Sequence, residues 1–331
     1  MSDERKRRRE LSRADRILPG LWRLRLPLPW PGVPHVNAYA IAAGRGVVLV
    51  DTGLHEPGAL RQLERALDQA AGLGLGHVRL LVCTHAHSDH YGQAAPILAA
   101  AGCELWMHPN HAHMTAAAED PERMLERRLE VARQSGVPGD VLARYESERR
   151  GRGIGIAEVV LPDRELVDWV EVETDLGTWR VYETPGHAPS HVVLHQPERG
   201  LLLSGDHLLG RVSLYYDYGY TPDPVGEFLH SLETVGSLEV GLVLAGHGRP
   251  VRDAPGLVAA NRREVEARLG RVLDALHANS RTAYEVVPAV TGGDEHSISW
   301  GLSETLCYLR HLEVRGEVRR LEEQDGERWA A

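Results

Sequence analysis

Short apolar runs, several closed by a histidine or an aspartate, set the rhythm of the first 250 residues. Residues 21–51 read as strands: "LWRLRLPLP" alternates apolar and polar positions, "VNAYAIA" follows, and "GVVLVDTG" is an apolar run ending at Asp51. "PGALRQLERALDQAAG" (57–72) then places Leu60, Leu63, Ala66 and Leu67 on one helical face, and Gly72, Gly74 and Gly76 end the helix. "HVRLLVCTH" is a strand of the fully buried type. It runs straight into "CTHAHSDHYGQ" (83–93) and an expected helix from Tyr91 to Ala101, capped near Ser88 or Asp89.

The pattern changes at 109–158, which is rich in Arg and Glu and helical in period, with Leu125, Leu129 and Ala132 on one stripe. It reads as a helical insertion packed on the main body, either a lid or a surface elaboration. Strand signals return at 165–173, 178–186, 191–196 and 200–206. A helix around 225–236 leads into "GLVLAGHG" (241–248). From about 252 the spacing predicts helices over 256–278, 282–289 and 299–315, and then a hairpin turning at Asp325-Gly326. Three helices and a hairpin are the pattern of a winged-helix module.

Length and charge narrow the class. A chain of 331 residues suggests about two domains with a sizeable core. No apolar run approaches the roughly 20 residues needed to span a bilayer. "MSDERKRRRE" lacks the apolar centre of a secretory signal, so a cytoplasmic protein without a membrane segment is expected. Residues 1–16, with the basic cluster Arg5–Arg9, are expected to be a disordered tail. The net charge of −10 argues against broad binding to a phosphate backbone. Cys83, Cys103 and Cys307 form neither a disulfide framework nor a CxxC site and read as packing residues.

The chemistry concentrates in the HxHxDH turn, where His85, His87, Asp89 and His90 fall within six positions. Packing alone seldom requires three histidines in one turn. Four further residues stand just past apolar runs: Asp51, His187, Asp206 and His247. In a sheet such ends can converge, making His85, His87 and His187 one set and Asp89, His90 and His247 another, with Asp206 free to bridge. Zinc favours such ligands, and two ions about 3.5–4 Å apart can share one hydroxide. The scattered His35, His77, His195 and His230 read as ordinary polar or buried residues. His108, His111 and His113 cluster inside an expected helix without a matching carboxylate and read as surface residues.

Five ordered motifs, "VDTG" with Asp51, "THAHSDH", "GHAPSH", "SGDHL" and "AGHG", resemble the metallo-β-lactamase-fold hydrolases, a superfamily that includes glyoxalase II, lactonases and certain ribonucleases. The resemblance spans roughly residues 17–250, the expected catalytic domain. It implies an α/β fold, an αββα four-layer sandwich with the metals at one edge. It also implies a first zinc on His85, His87 and His187, a second on Asp89, His90 and His247, and Asp206 bridging. Asp51 would be the carboxylate that steadies the ligands. The family's usual "GHTPGH" is "GHAPSH" here: His187 and His191 are retained, while Ala188 and Ser190 replace Thr and Gly. Residues 251–331 resemble the winged-helix tail of a subfamily that includes a mitochondrial endoribonuclease. From 252 onward they hold 11 arginines against 14 carboxylates, which favours packing or a homodimer over nucleic acid.

The expected reaction is hydrolysis by a metal-bridging hydroxide that Asp89 and Asp206 orient. Tyr215, Tyr216, Tyr218 and Tyr220 are substrate candidates, and His35 and Asn37 weaker ones at the rim. An ester, thioester or lactone hydrolase with two zincs suits an acidic chain with a small or acyl substrate. A phosphodiesterase or ribonuclease, a one-iron enzyme of the persulfide dioxygenase type, and a non-catalytic metal-stabilised protein remain as alternatives.

Overall fold

The apolar runs have two buried faces, and what covers each face decides the architecture. In β4 (Gly46–Val50), Val48 and Val50 belong to one hydrophobic cluster, Val47 and Leu49 to another. Side chains alternate across a strand, so a run apolar at every position needs cover on both sides. The computed structural model, which describes residues 11–293, 300–323 and 326–331, supplies that cover with two sheets and two helical layers.

The first sheet runs β1 (Arg13–Leu18), β2 (Leu21–Trp30), β3 (Val33–Ala43), β4, β5 (Val78–Val82), β6 (Glu104–Met107) and β7 (Arg164–Glu165). It is antiparallel as far as β4 and parallel from β4 to β7. The second contains β8 (Glu171–Thr174), β9 (Gly177–Glu183), β10 (Val192–Gln196), β11 (Leu201–Gly205) and β12 (Leu242–Ala245) in that spatial order, antiparallel except for the β11–β12 pair. Tyr39, Ile41, Val48, Val50 and Val82 of the first sheet share a cluster with Trp179, Val181, Val192, Leu194 and Leu203 of the second.

Outside the first sheet lie α1 (Ala59–Ala71), the single turn α2 (Ser88–Tyr91) and α3 (Ala94–Ala101), with Leu63, Leu67 and Ile97 packed under Leu49, Leu81 and Leu105. The expected insertion forms α4 (Ala112–Glu119), α5 (Pro121–Gln134) and α6 (Gly139–Arg149). Outside the second sheet, Val193, Leu202 and Val243 join one cluster with α7 (Pro224–Gly236), α8 (Ala254–His277), α9 (Ala283–Thr291) and α10 (Gly301–Val314). β13 (Arg319–Glu323) and β14 (Gly326–Ala330) form the terminal hairpin, while Asp325 of the expected turn lies outside the described residues. No described helix is long and apolar enough to cross a membrane.

Local chemistry explains the element ends. α1 stops where Gly72 adopts φ 65° and its N–H returns to the Asp68 carbonyl. α5 starts on Asp120, whose side chain accepts from the Arg123 N–H, with Pro121 in the first turn.

Three expectations need correction. The tail expected over residues 1–16 does not extend through 13–16, because β1 begins at Arg13 and pairs with β2 from Arg13↔Arg25 to Leu18↔Leu21. Residues 1–10 lie outside the described residues. The helix expected from Tyr91 to Ala101 is broken into α2 and α3, and neither Ser88 nor Asp89 caps it: the N-cap is His87, without a side-chain bond. The strand expected over 165–173 divides between the two sheets as β7 and β8, with Trp169 at φ 69° in the crossing.

Trp179 is fully buried between the sheets, so Trp179→Ala should lower the unfolding free energy by about 3–5 kcal/mol. A urea titration followed by circular dichroism measures it; a loss below about 1 kcal/mol would contradict the intersheet packing.

Candidate metal centre

The edge where β4, β5, β11 and β12 end carries the chemistry. β4 runs into Asp51, β5 into the turn from Thr84 to His90, β11 into Asp206, and β12 into His247. The loop between β9 and β10 adds His187 and His191. His85, His87 and His187 bring ligand atoms within 4.8 Å of one another, as do His85, His90 and Asp206, and also Asp89, His90 and His247.

Each imidazole commits its outer nitrogen. His85 Nδ1 lies 3.0 Å from Thr84 Oγ1, His87 Nε2 2.9 Å from Asp217 Oδ2, and His90 Nδ1 2.8 Å from Asp51 Oδ2. His187 Nδ1 is 3.1 Å from the Tyr215 carbonyl, and His247 Nδ1 is 2.9 Å from that of His35. With protons on those nitrogens, the inner ones face the centre as lone pairs. His85 Nε2, His90 Nε2 and Asp206 Oδ1 are buried without a hydrogen-bond partner. His87 Nδ1 and His187 Nε2 stand 3.0 Å apart.

Such a donor set fits divalent metal. Ligand atoms about 2.0–2.2 Å from one tetrahedral ion lie roughly 3.3–3.6 Å from each other. His247 Nε2 is 3.3 Å from both Asp89 Oδ2 and Asp206 Oδ2, and His90 Nε2 is 3.4 Å from Asp206 Oδ1 and 3.7 Å from Asp89 Oδ2. Asp206 Oδ2 also comes within 3.8 Å of His187 Nε2, so one carboxylate faces both groups of imidazoles.

The supports are as deliberate as the ligands. Asp51 takes a left-handed φ of 64°, a conformation costly for most residues, and from there accepts from the Thr84 N–H at 2.8 Å, Thr84 Oγ1 at 3.0 Å and His90 Nδ1. His191 accepts the Asp206 N–H at 3.0 Å and meets Thr184 Oγ1 at 2.8 Å. From the first sheet, Asn37 Nδ2 and Tyr39 OH donate to the Ala245 carbonyl at 2.8 and 2.7 Å, pinning the strand end that bears His247. A Cβ at Gly246 would stand 2.2 Å from Asp206 Oδ1 and 2.7 Å from His90 Cε1, so only glycine fits there.

Electrostatics follows this geometry. Burial disfavours charge on His247, yet Asp206 and Asp89 outweigh it and push the pKa up to about 10. His90 is likewise buried but held well above its ordinary value by Asp89, Asp206 and Asp51. Burial takes His187 down to about 4, with His87 adding to the effect. Burial alone would raise Asp217, but His87 and His113 hold it well below the usual carboxylate range.

Three groups of residues around the centre lie elsewhere than expected: two histidines, the tyrosine run and Asn37. His108 and His113, expected at the surface, are both buried: His108 Nε2 meets Glu183 at 2.6 Å, and His113 Nε2 meets Ser190 Oγ at 2.8 Å. The missing carboxylate was remote in sequence, on the loop carrying Asp217. The four tyrosines also separate. Tyr216 is fully buried with its ring against Phe228 and Tyr308. Tyr220 OH donates to the His113 carbonyl, the Tyr218 N–H to Ser303 Oγ, and Tyr215 OH to Asp217 Oδ1 at 2.9 Å. Only the Tyr215 ring lies beside ligands, 5.7 Å from those of His87 and His187. Asn37 is a buried support rather than a rim residue. Asp217, Thr84 and Ser190 were missed as partners of the centre. Ser190 alone carried a signal, as a departure from the family motif.

The sequence profile of the metallo-β-lactamase superfamily matches residues 31–247. The chain belongs to this superfamily. A metallo-β-lactamase family protein from Thermus thermophilus superposes with a TM-score of 0.80 at 28% identity, covering 95% of this chain and 99% of that one. A β-lactamase domain protein from Burkholderia ambifaria gives 0.78 at 27%, covering 96% and 94%. Among curated relatives, the Bacillus subtilis protein named "Probable metallo-hydrolase YqjP" is 26% identical over 311 residues, 89% of this chain and 92% of its own. One from Aspergillus chevalieri named "Atrochrysone carboxyl ACP thioesterase" is 22% identical over 304 residues, 88% of this chain and 80% of its own. At that coverage, the likeness to both solved structures extends beyond residues 31–247 into the C-terminal helices.

Metal binding requires deprotonated imidazoles. His247, pushed up to about 10, and His90, held well above its ordinary value, favour the protonated form in the metal-free protein, so loading it with divalent metal at pH 7 should release protons. Potentiometric titration measures this, and a release near zero would contradict the role given to Asp89 and Asp206. Gly246→Ala should abolish metal retention on a desalting column while leaving far-UV circular dichroism unchanged.

Proposed function

We propose that this superfamily member is a dinuclear zinc hydrolase of a carboxylic ester, thioester or lactone. One observation carries the reading: the ligand residues form two complete groups with Asp206 facing both, Oδ1 toward His90 and Oδ2 toward His247 and His187. His85, His87 and His187 would hold one ion, and Asp89, His90 and His247 the other. Two zincs there would lower the pKa of a shared water and polarise the substrate carbonyl.

The chain's own residues then have defined tasks. Asp89 and Asp206 orient the attacking water through their carboxylate oxygens, and the outer hydrogen bonds keep every imidazole in one tautomer. Tyr215, beside His87 and His187, is the tyrosine placed to meet an acyl group. The thioesterase relative supports an acyl substrate, as does the net charge of −10, which opposes a polyanion. Residues 251–331 are proposed as a packing or dimerisation unit. Their helices share a cluster with the second sheet, and the 14 carboxylates over 252–331 exceed the 11 arginines.

Elemental analysis of protein purified without added metal should find about two zincs per chain, together with turnover of thioester or lactone substrates. Asp89→Ala should cut that turnover by at least about 100-fold with the fold intact. One iron per chain without hydrolysis would overturn the proposal in favour of oxygen chemistry. Phosphodiester turnover with steep salt dependence would move it to nucleic acid.

A further inference from the structure

We infer that Asp217 is a positioning residue for the metal ligand His87, and that His113 and Ser190 make the helical insertion a working part of the metal centre. The inference rests on the proposed function only in taking His87 as a ligand.

The hydrogen bonds run in one direction. The Ala86 N–H, between the ligands His85 and His87, donates to Ser190 Oγ at 3.0 Å. Ser190 Oγ donates its proton to His113 Nε2, 2.8 Å away, because the histidine's own proton is held on Nδ1 by a carboxylate. His113 Nδ1 lies 2.9 Å from Asp217 Oδ2. The same oxygen faces His87 Nε2 at 2.9 Å, and Tyr215 OH occupies Oδ1 at 2.9 Å.

A carboxylate surrounded in this way cannot turn. It keeps the His87 proton on Nε2 and so leaves the Nδ1 lone pair directed toward His187. Without it, nothing on that side distinguishes the two nitrogens of the ring. His113 sits on α4, the first helix of the insertion, and is buried, with Tyr220 OH on its carbonyl. At the far end of α5, the Tyr284 N–H from α9 donates to the Ser135 carbonyl. The insertion is thus held at α4 and again where α5 ends, and α4 reaches a ligand through Asp217. Ser190 stands where the resembling motif has glycine, a residue with no hydroxyl to offer His113.

Wild type, Asp217→Ala, Asp217→Asn, His113→Ala and Ser190→Gly would be stripped and reloaded with Co2+. Stoichiometry, affinity against a chromophoric chelator, the visible cobalt bands and the metal-free melting temperature would be measured, with Trp179→Ala as a control for general destabilisation. Asp217→Ala should lose roughly 10–100-fold in affinity at one ion only, with altered bands. Asp217→Asn, which keeps one acceptor, should fall between it and wild type, and His113→Ala and Ser190→Gly should weaken the same ion less. Trp179→Ala should lower the melting temperature with the bands unchanged. Wild-type affinity and bands in Asp217→Ala would overturn the inference. So would an equal loss at every ion that tracks the melting temperature. Three cobalt ions in wild type and two in Asp217→Ala would make Asp217 itself a ligand and overturn its positioning role. One ion in wild type, still weakened by Asp217→Ala, would overturn the dinuclear reading and leave this one standing. Should Asp217→Ala fail to fold, Asp217→Asn and Ser190→Gly decide alone, wild-type values in both overturning it.

Discussion

Two lone pairs cannot be held face to face at close range without something positive between them. His87 and His187 are placed in that way, 3.0 Å apart, once their outer nitrogens are committed to Asp217 and the Tyr215 carbonyl. His85 Nε2 and His90 Nε2 are buried and unpartnered in the same pocket. An unsatisfied buried polar group costs on the order of 1–3 kcal/mol, so the cluster is a sum of penalties that a cation relieves. The carboxylates Asp89 and Asp206 add negative charge where a proton or a metal must balance it.

The fold meets that demand by spreading the ligands over strands of both sheets and then tying the sheets together. Asn37 and Tyr39 of β3 hold the Ala245 carbonyl of β12, and the His247 ring rests on the His35 carbonyl. Intersheet packing is non-directional. These hydrogen bonds supply the direction that a metal site needs, to within tenths of an ångström. Gly246 and Asp51 show the accompanying backbone constraints, one a residue without a side chain and the other a non-glycine at positive φ.

Much of this was legible in the sequence because it is local. Strand runs leading to Asp51, His85, Asp206 and His247 announce themselves as unbroken apolar stretches, and six positions of HxHxDH hold four candidate ligands. What escaped was non-local. Asp217 lies 130 residues from His87 and 104 from His113, within a run whose tyrosines drew attention away from the carboxylate. His113 has a helical context typical of the surface, and only the folded chain shows that Ser190 and Asp217 meet its two nitrogens. Tyr215 and Tyr216 are sequence neighbours whose rings meet different partners, Tyr215 beside His87 and His187 and Tyr216 against Phe228 and Tyr308, which no composition rule separates.

The shared cluster of the second sheet with α7 to α10 has a consequence for the order in which the protein assembles as it is synthesised. Every proposed ligand has been synthesised by His247, yet Val193, Leu202 and Val243 lack the cover of α8 to α10 until those follow. The chain thus carries all the side chains of the proposed centre before the outer layer of the second sheet is complete, and the helices that complete it supply none of them.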